Sequence, residues 1–290
     1  MNRKRMPRRR RLLQLLPLVS AALLVASSRP LLWAAPNPNQ LRFLALADSG
    51  SGNANQQEVA DRMAERHRLQ PVDLVLLGGD NIYPSGDIAL LQKTVVHPYR
   101  ALLQGGVPFH AVLGNHDIRT ANGAAQLREP VLGMGGRWYN LRRGPVEFFL
   151  LDTNTNAAWQ HQMPWLKNAL ARSTAPWKVV VGHHPLYSSG LYGDDPRLQV
   201  KLMPLFELYQ VQLYINGHEH NYERTVPLRG TTFLTVGGGG AWLRPVLGNR
   251  NSARAVSAYS FAEIEVVGDQ MRLSAWNSKG KRIDQAVINR

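Results

Sequence analysis

Cysteine is absent from this chain of 290 residues. The chain can therefore form no disulfide, either within itself or with a second copy, and it offers no thiolate ligand to a metal. Any metal must instead be held by histidine, aspartate, asparagine or tyrosine side chains. The folded state must gain its stability from a hydrophobic core, and a chain of this length can bury one.

Acidic residues are missing from the first 35 positions, although eight of the 34 lysines and arginines lie there. These cations account for more than half of the net charge of +14, since +6 remains without them. The other lysines and arginines are dispersed, and no basic stripe is interleaved with aromatic residues, as it is in proteins that bind single-stranded nucleic acid. The composition therefore argues against nucleic acid as a partner.

The basic leader lacks a hydrophobic run of comfortable membrane-spanning length. Its apolar stretch, residues 12–26, covers about 15 residues and is interrupted by Pro17, whereas a spanning helix needs about 20 residues. A basic segment followed by a short apolar segment is typical of an export signal peptide. The sequence therefore predicts a signal peptide over residues 1–35 and a single folded domain over residues 36–290, in a protein that is periplasmic or secreted.

The end of the leader leaves several alternatives open. Cleavage after Ser28 and cleavage near Ala34 and Ala35 both fit the small residues found there. If the leader is not cleaved, an apolar stretch that continues through residues 31–35 would anchor the protein to the membrane. The arginines at positions 9–11 resemble a twin-arginine signal, which would suit export of an already folded protein.

Strand patterns alternate with amphipathic helix patterns along the rest of the chain. The predicted strands are residues 41–47, 73–77, 109–113, 147–151, 177–181, 212–215, 232–236, 261–267 and 271–276. The predicted helices are residues 54–67, 90–103, 163–170 and 200–209, and a long connection is expected over residues 121–143. The last two strands are expected to form a closing antiparallel pair. This order of elements indicates a layered α/β domain.

Polar side chains suited to metal binding follow five of these strands. They are Asp48, Asp80 with Tyr83, Asn115 with His116, His183, and His218 with His220. Because ligand sites in layered α/β folds gather where strand ends meet, these side chains are expected to lie together. Oxygen and imidazole donors favour iron, zinc or manganese over calcium, and seven of these eight residues as ligands are too many for one ion. Two ions that share one carboxylate account for the number, and such a pair is a clamp for displacement at phosphorus.

Each of these residues also has an ordinary structural interpretation. Asp48 could cap the helix that follows it. Asn115 and Asp117 could be turn formers. His218 and His220 could be polar residues on one face of a strand end, since residues two apart share a face. The metal hypothesis depends on the five sites taken together rather than on any one of them.

The order of the motifs resembles that of a known group. Asp-x-Gly, Gly-Asp-x-x-Tyr, Gly-Asn-His-Asp, Gly-His-x-Pro and Gly-His-x-His follow one another between residues 41 and 240. This order is similar to that of the calcineurin-like metallophosphoesterases, and specifically to that of the purple acid phosphatases of the small, single-domain type. The resemblance implies an α/β fold in four layers, an α/β/β/α sandwich of two mixed β-sheets flanked by helices.

The resemblance also implies two metal sites that share Asp80. The ligands of a ferric iron would be Asp80 together with Asp48, Tyr83 and His220. The ligands of a second, divalent ion (Fe(II), Zn or Mn) would be Asp80 together with Asn115, His183 and His218. His116 would lie over the substrate phosphate, where it would stabilise the transition state or protonate the leaving alkoxide.

Two departures from the wider superfamily concern the ferric site. Most relatives place a histidine two positions after the first aspartate, and that position is Gly50 here. Tyr83, three residues after Asp80, would fill the vacant position with a phenolate, a hard anionic ligand suited to a trivalent ion. The paired departures favour the purple phosphatases over the nuclease and cyclic-nucleotide branches.

Two further residues are candidates for the rim of the site. His184 follows the ligand His183 directly and is expected beside the metal ligands or at the substrate rim. Tyr187 follows the same strand and is a candidate for the substrate entrance, with a solvated loop as the alternative.

The resulting hypothesis is an exported acid phosphatase with two metal ions, which hydrolyses small phosphomonoesters by attack of metal-bound hydroxide and forms no phosphoenzyme. An Mn or Zn phosphodiesterase of the same superfamily is the alternative within enzymes. A metal-dependent phosphate-binding protein without turnover is the alternative from another class.

Overall fold

The computed structural model of the protein describes Met1 and residues 39–290. Apart from Met1, the predicted signal peptide and its cleavage sites lie outside the described residues, so both stay predictions. Residues 39–290 belong to one compact unit. Within residues 39–290, no helix is both long enough and apolar enough to cross a membrane.

The part of the chain that the structure describes contains thirteen strands and four α-helices. The strands are β1 (Gln40–Leu46), β2 (Leu74–Leu77), β3 (Phe109–Ala111), β4 (Tyr139–Arg143), β5 (Val146–Leu150), β6 (Trp177–Val181), β7 (Leu213–Asn216), β8 (Tyr222–Thr225), β9 (Thr232–Val236), β10 (Ser252–Val256), β11 (Ser260–Val267), β12 (Gln270–Asn277) and β13 (Arg282–Asn289). The helices are α1 (Ala54–Leu69), α2 (Arg100–Gln104), α3 (Trp159–Arg172) and α4 (Pro196–Leu208).

The strands form two mixed sheets. One has six strands in the order β13-β12-β11-β1-β2-β3, and the other has seven in the order β10-β8-β9-β7-β6-β5-β4. β1, β2 and β3 run parallel in the six-stranded sheet, and β5, β6, β7 and β9 run parallel in the seven-stranded sheet. Because parallel neighbours end at the same edge, each sheet presents several strand ends side by side.

The two sheets pack face to face through apolar side chains. Phe43 of β1 and Phe148 of β5 meet edge to face, with ring centroids 5.1 Å apart. Both side chains are fully buried, and burial of each stabilises the fold by roughly 1.5–3 kcal/mol. The same cluster contains Trp177, Leu234 and Ile264, so it joins β6 and β9 of one sheet to β11 of the other.

Helices cover the outer face of each sheet. Val59 and Met63 of α1 and Leu102 of α2 pack against the six-stranded sheet. Leu166 of α3 and Phe206 of α4 pack against the seven-stranded sheet. The molecule is therefore an α/β/β/α sandwich of two mixed sheets, and the predicted fold class is confirmed.

Buried hydrogen bonds also join the two sheets. The Tyr139 hydroxyl of β4 donates to the carbonyl oxygen of Ala111 in β3 over 2.9 Å. The Trp177 indole of β6 donates to the carbonyl oxygen of Gly268, in the turn between β11 and β12, also over 2.9 Å. Each bond satisfies a polar group that a large aromatic side chain would otherwise bury without a partner.

The prediction of one helix over residues 90–103 is wrong. The chain forms a 3₁₀ turn at Ile88–Leu90, a π-helical turn at Gln92–Val96 and the short helix at Arg100–Gln104. Pro98 lies between the last two segments. Its nitrogen has no hydrogen to donate and its ring crowds the preceding turn, so Pro98 disfavours one continuous helix here, although α3 and α4 continue through Pro164 and Pro204.

Four strands have no counterpart among the predicted elements: β4, β8, β10 and β13. β4 lies inside the predicted connection at 121–143 and pairs with β5. Three of the four lie at sheet edges, where one side of the strand has no neighbour. β4 exposes Asn140, Arg142 and Arg143, so it lacks the apolar pattern of a buried strand.

Candidate metal centre

The polar residues after the strands meet at the edge where both sheets end. The six-stranded sheet supplies Asp48, Asp80 and Asn115 from the turns after β1, β2 and β3. The seven-stranded sheet supplies His183 from the turn after β6 and His218 from the turn after β7. Parallel strand order therefore places donors from distant parts of the chain in one site.

Four of the predicted ligands form a group that we call the Tyr83 cluster: Asp48, Asp80, Tyr83 and His220. The Tyr83 hydroxyl lies 3.2 Å from Asp48 Oδ1, 2.9 Å from Asp80 Oδ2 and 3.2 Å from His220 Nε2. His220 Nε2 is also 3.4 Å from Asp48 Oδ1. Both carboxylates and the imidazole are buried. Their oxygen and nitrogen atoms can hold one metal ion.

The remaining predicted ligands form the Asn115 cluster: Asp80, Asn115, His183 and His218. Asn115 Oδ1 lies 3.0 Å from His183 Nε2 and 2.9 Å from His218 Nδ1. His183 Nε2 is 3.6 Å from Asp80 Oδ1. Oxygen and imidazole donors thus lie together here, and two of them, His183 and His218, form with the neighbouring His184 a second group of nitrogen atoms that can hold an ion.

Asp80 is common to the two clusters through different oxygens. Its Oδ2 accepts a hydrogen bond from Tyr83, whereas its Oδ1 faces His183 and accepts a hydrogen bond from the backbone N–H of His116 at 2.8 Å. One carboxylate that points one oxygen to each group of donors has the geometry that a shared ligand needs.

The backbone is strained where it presents three of these residues. Asp48, Asp80 and His218 have φ angles of 55°, 54° and 69°. These values lie in the left-handed region of backbone conformation, which residues other than glycine rarely adopt. Strain of this kind persists only where the surrounding structure enforces it, and it concentrates at functional sites. Gly114 and Gly217 supply space, because a Cβ at either position would overlap the carboxylate of Asp80 or of Asp48.

Hydrogen bonds to backbone carbonyls orient two of the histidines. His183 Nδ1 lies 3.0 Å from the oxygen of Gly78, and His220 Nδ1 lies 2.8 Å from the oxygen of Trp242. Because a carbonyl only accepts, each Nδ1 must carry the proton. The lone pair of each neutral Nε2 then faces the cluster, which is the arrangement a metal-binding histidine requires.

The charge of the site also fits metal binding. Burial opposes the charged form of His183, but the charges of Asp80 and Asp48 outweigh it and raise its pKa. Burial and the same two carboxylates raise the pKa of the Tyr83 phenol. The buried carboxylates therefore attract protons in a protein without metal. Two cations would replace those protons and would let Tyr83 ionise, so the residues present fit a pair of ions.

Gly50 lies where no side chain can fit. A Cβ at this position would overlap the carbonyl group of Asn81, which follows Asp80 in the next turn. Backbone bonds hold the two segments together, from Gly50 N to Asp80 O and from Tyr83 N to Gly50 O. The contact with Gly50 thus fixes the turn that carries Tyr83 into the cluster.

His116 lies beside the Tyr83 cluster and is half-buried. Its ring centroid is 4.4 Å from that of Tyr83. Its Nδ1 donates to the carbonyl oxygen of Pro84 over 2.8 Å, and its Nε2 lies 3.1 Å from an Nη of Arg119. Burial lowers the pKa of the His116 imidazole. The bond to Pro84 therefore fixes the ring with Nε2 as the atom that can exchange a proton.

His184 lies next to the Asn115 cluster, as predicted from its neighbour. Its ring centroid is 4.6 Å from that of His218, and its Nδ1 is 2.9 Å from the hydroxyl of Thr153. Burial, followed by the charges of His183 and His218, lowers the pKa of His184 to about 2. It is therefore neutral at physiological pH.

Tyr187 lies away from the predicted substrate entrance. Its ring packs on Phe233 at 4.9 Å, on the outer face of the seven-stranded sheet, where an aromatic side chain gains apolar contact. The aromatic residue that contacts His218 on this side is Tyr192, which stacks on it with centroids 4.6 Å apart. The guanidinium of Arg244 lies 4.8 Å from the centre of the Tyr192 ring. No fixed spacing in the sequence relates Tyr192, His218 and Arg244.

Asp117 does more than form a turn, because its side chain joins two of the turns that carry predicted ligands. Its buried carboxylate accepts hydrogen bonds from the backbone N–H groups of Asn81, Ile82 and Gly114 at 2.8 to 3.1 Å. Burial and the charge of Asp80 raise its pKa to about 6. The side chain ties the turn after β2 to the turn after β3, so it positions donors of both clusters.

The capping interpretation of Asp48 is wrong. Helix α1 begins at Ala54 and is capped by Asn53, whose Oδ1 accepts a hydrogen bond from Gln56 N at 3.0 Å. The Asp48 carboxylate instead accepts a hydrogen bond from His218 N at 2.8 Å. This bond joins the two sheets at the metal centre.

The sequence matches one family over more than half of its length: the calcineurin-like phosphoesterases, over residues 41–222. Purple acid phosphatase 3 of Arabidopsis thaliana is 32% identical over 252 residues, which cover 75% of this chain and 68% of that protein. Purple acid phosphatase 7 of the same plant is 34% identical over 236 residues, covering 70% and 71%. Tartrate-resistant acid phosphatase type 5 of Sus scrofa is 26% identical over 310 residues, with 88% of each chain covered.

Solved structures share the fold. GAP50, described as the anchor in the inner membrane complex of Plasmodium, superposes with a TM-score of 0.76 at 25% identity, covering 86% of this chain and 89% of that one. A purple acid phosphatase from yellow lupin seeds gives a TM-score of 0.69 at 20% identity, covering 87% and 54%. Because an anchor and an enzyme share this architecture, function must be argued from the site rather than from the fold.

Two buried groups of metal donors at the strand ends of an α/β/β/α sandwich, together with the family match, define a metal-dependent enzyme that hydrolyses phosphoric esters. The chain belongs to the calcineurin-like phosphoesterase family. Within that family it belongs to the purple acid phosphatases, since it is 32% identical to one of them over 68% of that protein.

Proposed function

We propose that the protein is an exported acid phosphatase that hydrolyses small phosphomonoesters at two metal ions. The observation that carries the proposal is the Tyr83 hydroxyl, which lies within 3.2 Å of Asp48, Asp80 and His220. A phenolate favours a trivalent ion, so we assign Fe(III) to the Tyr83 cluster. Apart from the shared carboxylate, the Asn115 cluster has neutral donors, which suit Fe(II), Zn or Mn.

Export is supported by the sequence alone. The basic leader followed by a short apolar segment has the pattern of a signal peptide. The absence of cysteine means that the exported domain depends on no disulfide formation. We therefore assign the mature protein to the periplasm or the exterior of the cell.

In the proposed reaction, the residues of the chain position the substrate and move one proton. Bound metal ions would supply a nucleophile from water and offset the charge of the phosphate oxygens. His116, fixed by Pro84, presents Nε2 to the leaving oxygen. Because the guanidinium of Arg119 can only donate to this atom, Nε2 must first take up a proton from solvent, and it then transfers that proton to the leaving oxygen. No serine is among the residues of either cluster, and the chain has no cysteine, which supports the proposal of direct displacement without a phosphoenzyme.

The function is tested by comparing an aryl monophosphate with the matching diester across a range of pH. We expect the monoester to be hydrolysed faster, and we expect more than about half of its rate to be lost between about pH 5 and about pH 7. The reason is that a ferric ion strongly lowers the pKa of bound water, which keeps the nucleophile ionised in acid. Faster hydrolysis of the diester with a flat or alkaline profile would indicate the Mn or Zn phosphodiesterase, and metal-dependent phosphate binding without turnover would indicate a binding protein.

His116→Ala is expected to lower turnover by about 10²- to 10⁴-fold while both metals stay bound, because general acid catalysis contributes on this scale. The loss should be smaller for 4-nitrophenyl phosphate than for ethyl phosphate, since a good leaving group needs less protonation. Steady-state kinetics and metal analysis provide the measurement.

The matched control is His97→Ala, which removes an exposed histidine outside both clusters and should leave kcat unchanged. Equal losses on the two substrates would show that His116 only positions the substrate. Unchanged turnover would remove it from the mechanism.

A further inference from the structure

A pocket of about 400 Å³ adjoins the Tyr83 cluster. We call it the Trp242 pocket and define it by Tyr83, His116, Pro84, Leu90, Lys93 and Trp242. Its inner end is formed by Tyr83 and by His116. The predicted ligand His220 also lines the pocket, whereas no predicted metal ligand or catalytic role accounts for the apolar side chains of Pro84, Leu90 and Trp242.

Trp242 is the feature of this pocket that most needs an explanation. Its side chain is 78% exposed, although the backbone around it is held firmly to the metal centre. The carbonyl oxygen of Trp242 accepts a hydrogen bond from His220 Nδ1 at 2.8 Å, and Ala241 N donates to Asp48 O at 2.9 Å. Arg244 N donates to His220 O at 3.0 Å. A large, exposed apolar ring on a backbone that is fixed at the mouth of the site is suited to contact with a ligand.

The proposed reaction decides which part of a substrate reaches this pocket, and the inference rests on it. The phosphate must lie at the metals, and the leaving oxygen must lie within reach of His116 Nε2. Because His116 lines the Trp242 pocket, the group attached to the leaving oxygen extends into it. A second groove of about 300 Å³ lies beside His184 and His218 and is not lined by His116.

The two openings also differ in charge. Lys93 and Arg244 line the Trp242 pocket, and none of its lining residues is acidic. The second groove is lined by Asp194 and Asp195 as well as Arg197. Carboxylates repel an anionic substituent, whereas the ammonium group of Lys93 attracts it.

We propose that the Trp242 pocket binds the leaving group of the substrate and selects an aromatic ring that carries an anionic substituent. The ring packs on the indole of Trp242 with Pro84 and Leu90, and the substituent points to Lys93. The preferred substrates are therefore anionic aryl phosphomonoesters, and cationic leaving groups are disfavoured.

The first test compares Trp242→Ala with the wild type on phenyl phosphate and on ethyl phosphate. We expect kcat/KM to fall about ten-fold for phenyl phosphate and by less than about two-fold for ethyl phosphate, because only the aryl group contacts the indole. Metal analysis must show two ions bound in both proteins. Equal losses on the two substrates, or no loss on either, would overturn the proposal.

Two control variants locate the effect. Leu247→Ala removes another exposed apolar side chain and should change neither substrate. Trp159→Ala removes a tryptophan from a third groove, which shares Asp195 and Arg197 with the second groove, and should also spare the preference for aryl substrates. Loss of that preference in Trp159→Ala, with its retention in Trp242→Ala, would place the leaving group in the third groove.

The charge of the substituent is tested with Lys93→Gln. We expect kcat/KM for 4-carboxyphenyl phosphate to fall about three- to five-fold, and the value for phenyl phosphate to stay unchanged, because an exposed ion pair contributes modestly. Added salt should reduce the wild-type preference for the carboxylated substrate in the same way. Equal values for the two proteins on both substrates would refute the assignment to Lys93.

A binding measurement separates this inference from the proposed function. Benzylphosphonate and propylphosphonate are carbon analogues of phenyl and ethyl phosphate that cannot be hydrolysed at the leaving oxygen. Calorimetry on the metal-loaded protein should show tighter binding of benzylphosphonate in the wild type and similar binding of both in Trp242→Ala. If the protein had no phosphatase activity, this measurement would still reveal a preference for the aryl ligand. Equal affinities of the wild type for the two phosphonates would contradict the inference about the Trp242 pocket.

Discussion

Asp80→Asn is expected to abolish binding of the metal pair and to lower activity on the order of 10³-fold or more, beyond the loss caused by removing a single transition-state donor. Asp80 directs Oδ2 to the Tyr83 cluster and Oδ1 to the Asn115 cluster, so both ions would depend on it. Asparagine replaces the carboxylate by one neutral oxygen and an amide nitrogen that cannot bind a cation. Without the charge of Asp80, the buried negative charge of Asp48 alone does not balance the positive charge of two metal ions.

Metal analysis and thermal unfolding with and without a chelator measure this effect. A ligand that binds only the folded state stabilises it, by about 2.7 kcal/mol at a hundred times its Kd. The wild type should therefore lose stability on chelation, and Asp80→Asn should not. Retention of two ions with activity within about ten-fold of the wild type would show that Asp80 is not the shared ligand.

Asp152→Asn is the matched control for Asp80→Asn. Asp152 is also buried at a strand end, but its carboxylate pairs with Arg137 at 2.8 Å rather than with the predicted ligands. The control should lose stability, since a buried ion pair is broken, and it should keep both metals. Loss of metal from this variant as well would attribute the effect to general damage at the strand ends.

The donor set could be predicted from the sequence because each donor follows a buried strand. Continuous apolar runs, such as Leu74–Leu77 in β2 and residues 179–181 in β6, indicate strands without any tertiary information. Parallel order then brings their ends to one edge, so Asp80 and His183 meet although they lie far apart in the chain. The position of these polar residues relative to the strands therefore predicted that they would lie together.

The surroundings of the donors could not be predicted in the same way. Tyr192, Arg244 and Trp242 reach the site from loops, where no period of the sequence fixes which way a side chain points. Their places depend on long-range backbone bonds, such as that from Arg244 N to His220 O. The same reason explains the wrong prediction for Tyr187, because packing on Phe233 is visible only in the folded chain.

Gly50 and Tyr83 show how a local change in the sequence becomes a change in chemistry. Gly50 removes a side chain from the first turn and lets Asn81 approach closely. The approach positions Tyr83, whose hydroxyl lies near both carboxylates of its cluster. The vacant position at Gly50 and the proximity of Tyr83 to the carboxylates are therefore one structural arrangement, which supports the proposal that an anionic ligand stands in place of a neutral one.

Tyr83→Phe is expected to remove a broad visible charge-transfer band and to lower turnover by about 10²-fold, the scale of one lost transition-state-stabilising group. Without the phenolate, the site keeps two carboxylates but loses the ligand that favours a trivalent ion. Visible absorption, iron content and kcat are the measurements. Tyr192→Phe is the control, since Tyr192 stacks on His218 and should leave the band in place.

Adding Gly50→His to Tyr83→Phe should not restore iron binding, even though it supplies an imidazole in the same turn. A Cβ at position 50 would overlap the carbonyl group of Asn81, and the turn that carries Asp80 would have to move. The double variant should therefore unfold at a lower temperature than Tyr83→Phe and remain colourless. Recovery of iron and activity at an unchanged Tm would show that the first turn can accommodate a histidine and that Tyr83 is a replaceable donor. A wild type that is active but colourless and free of iron would remove the ferric assignment itself.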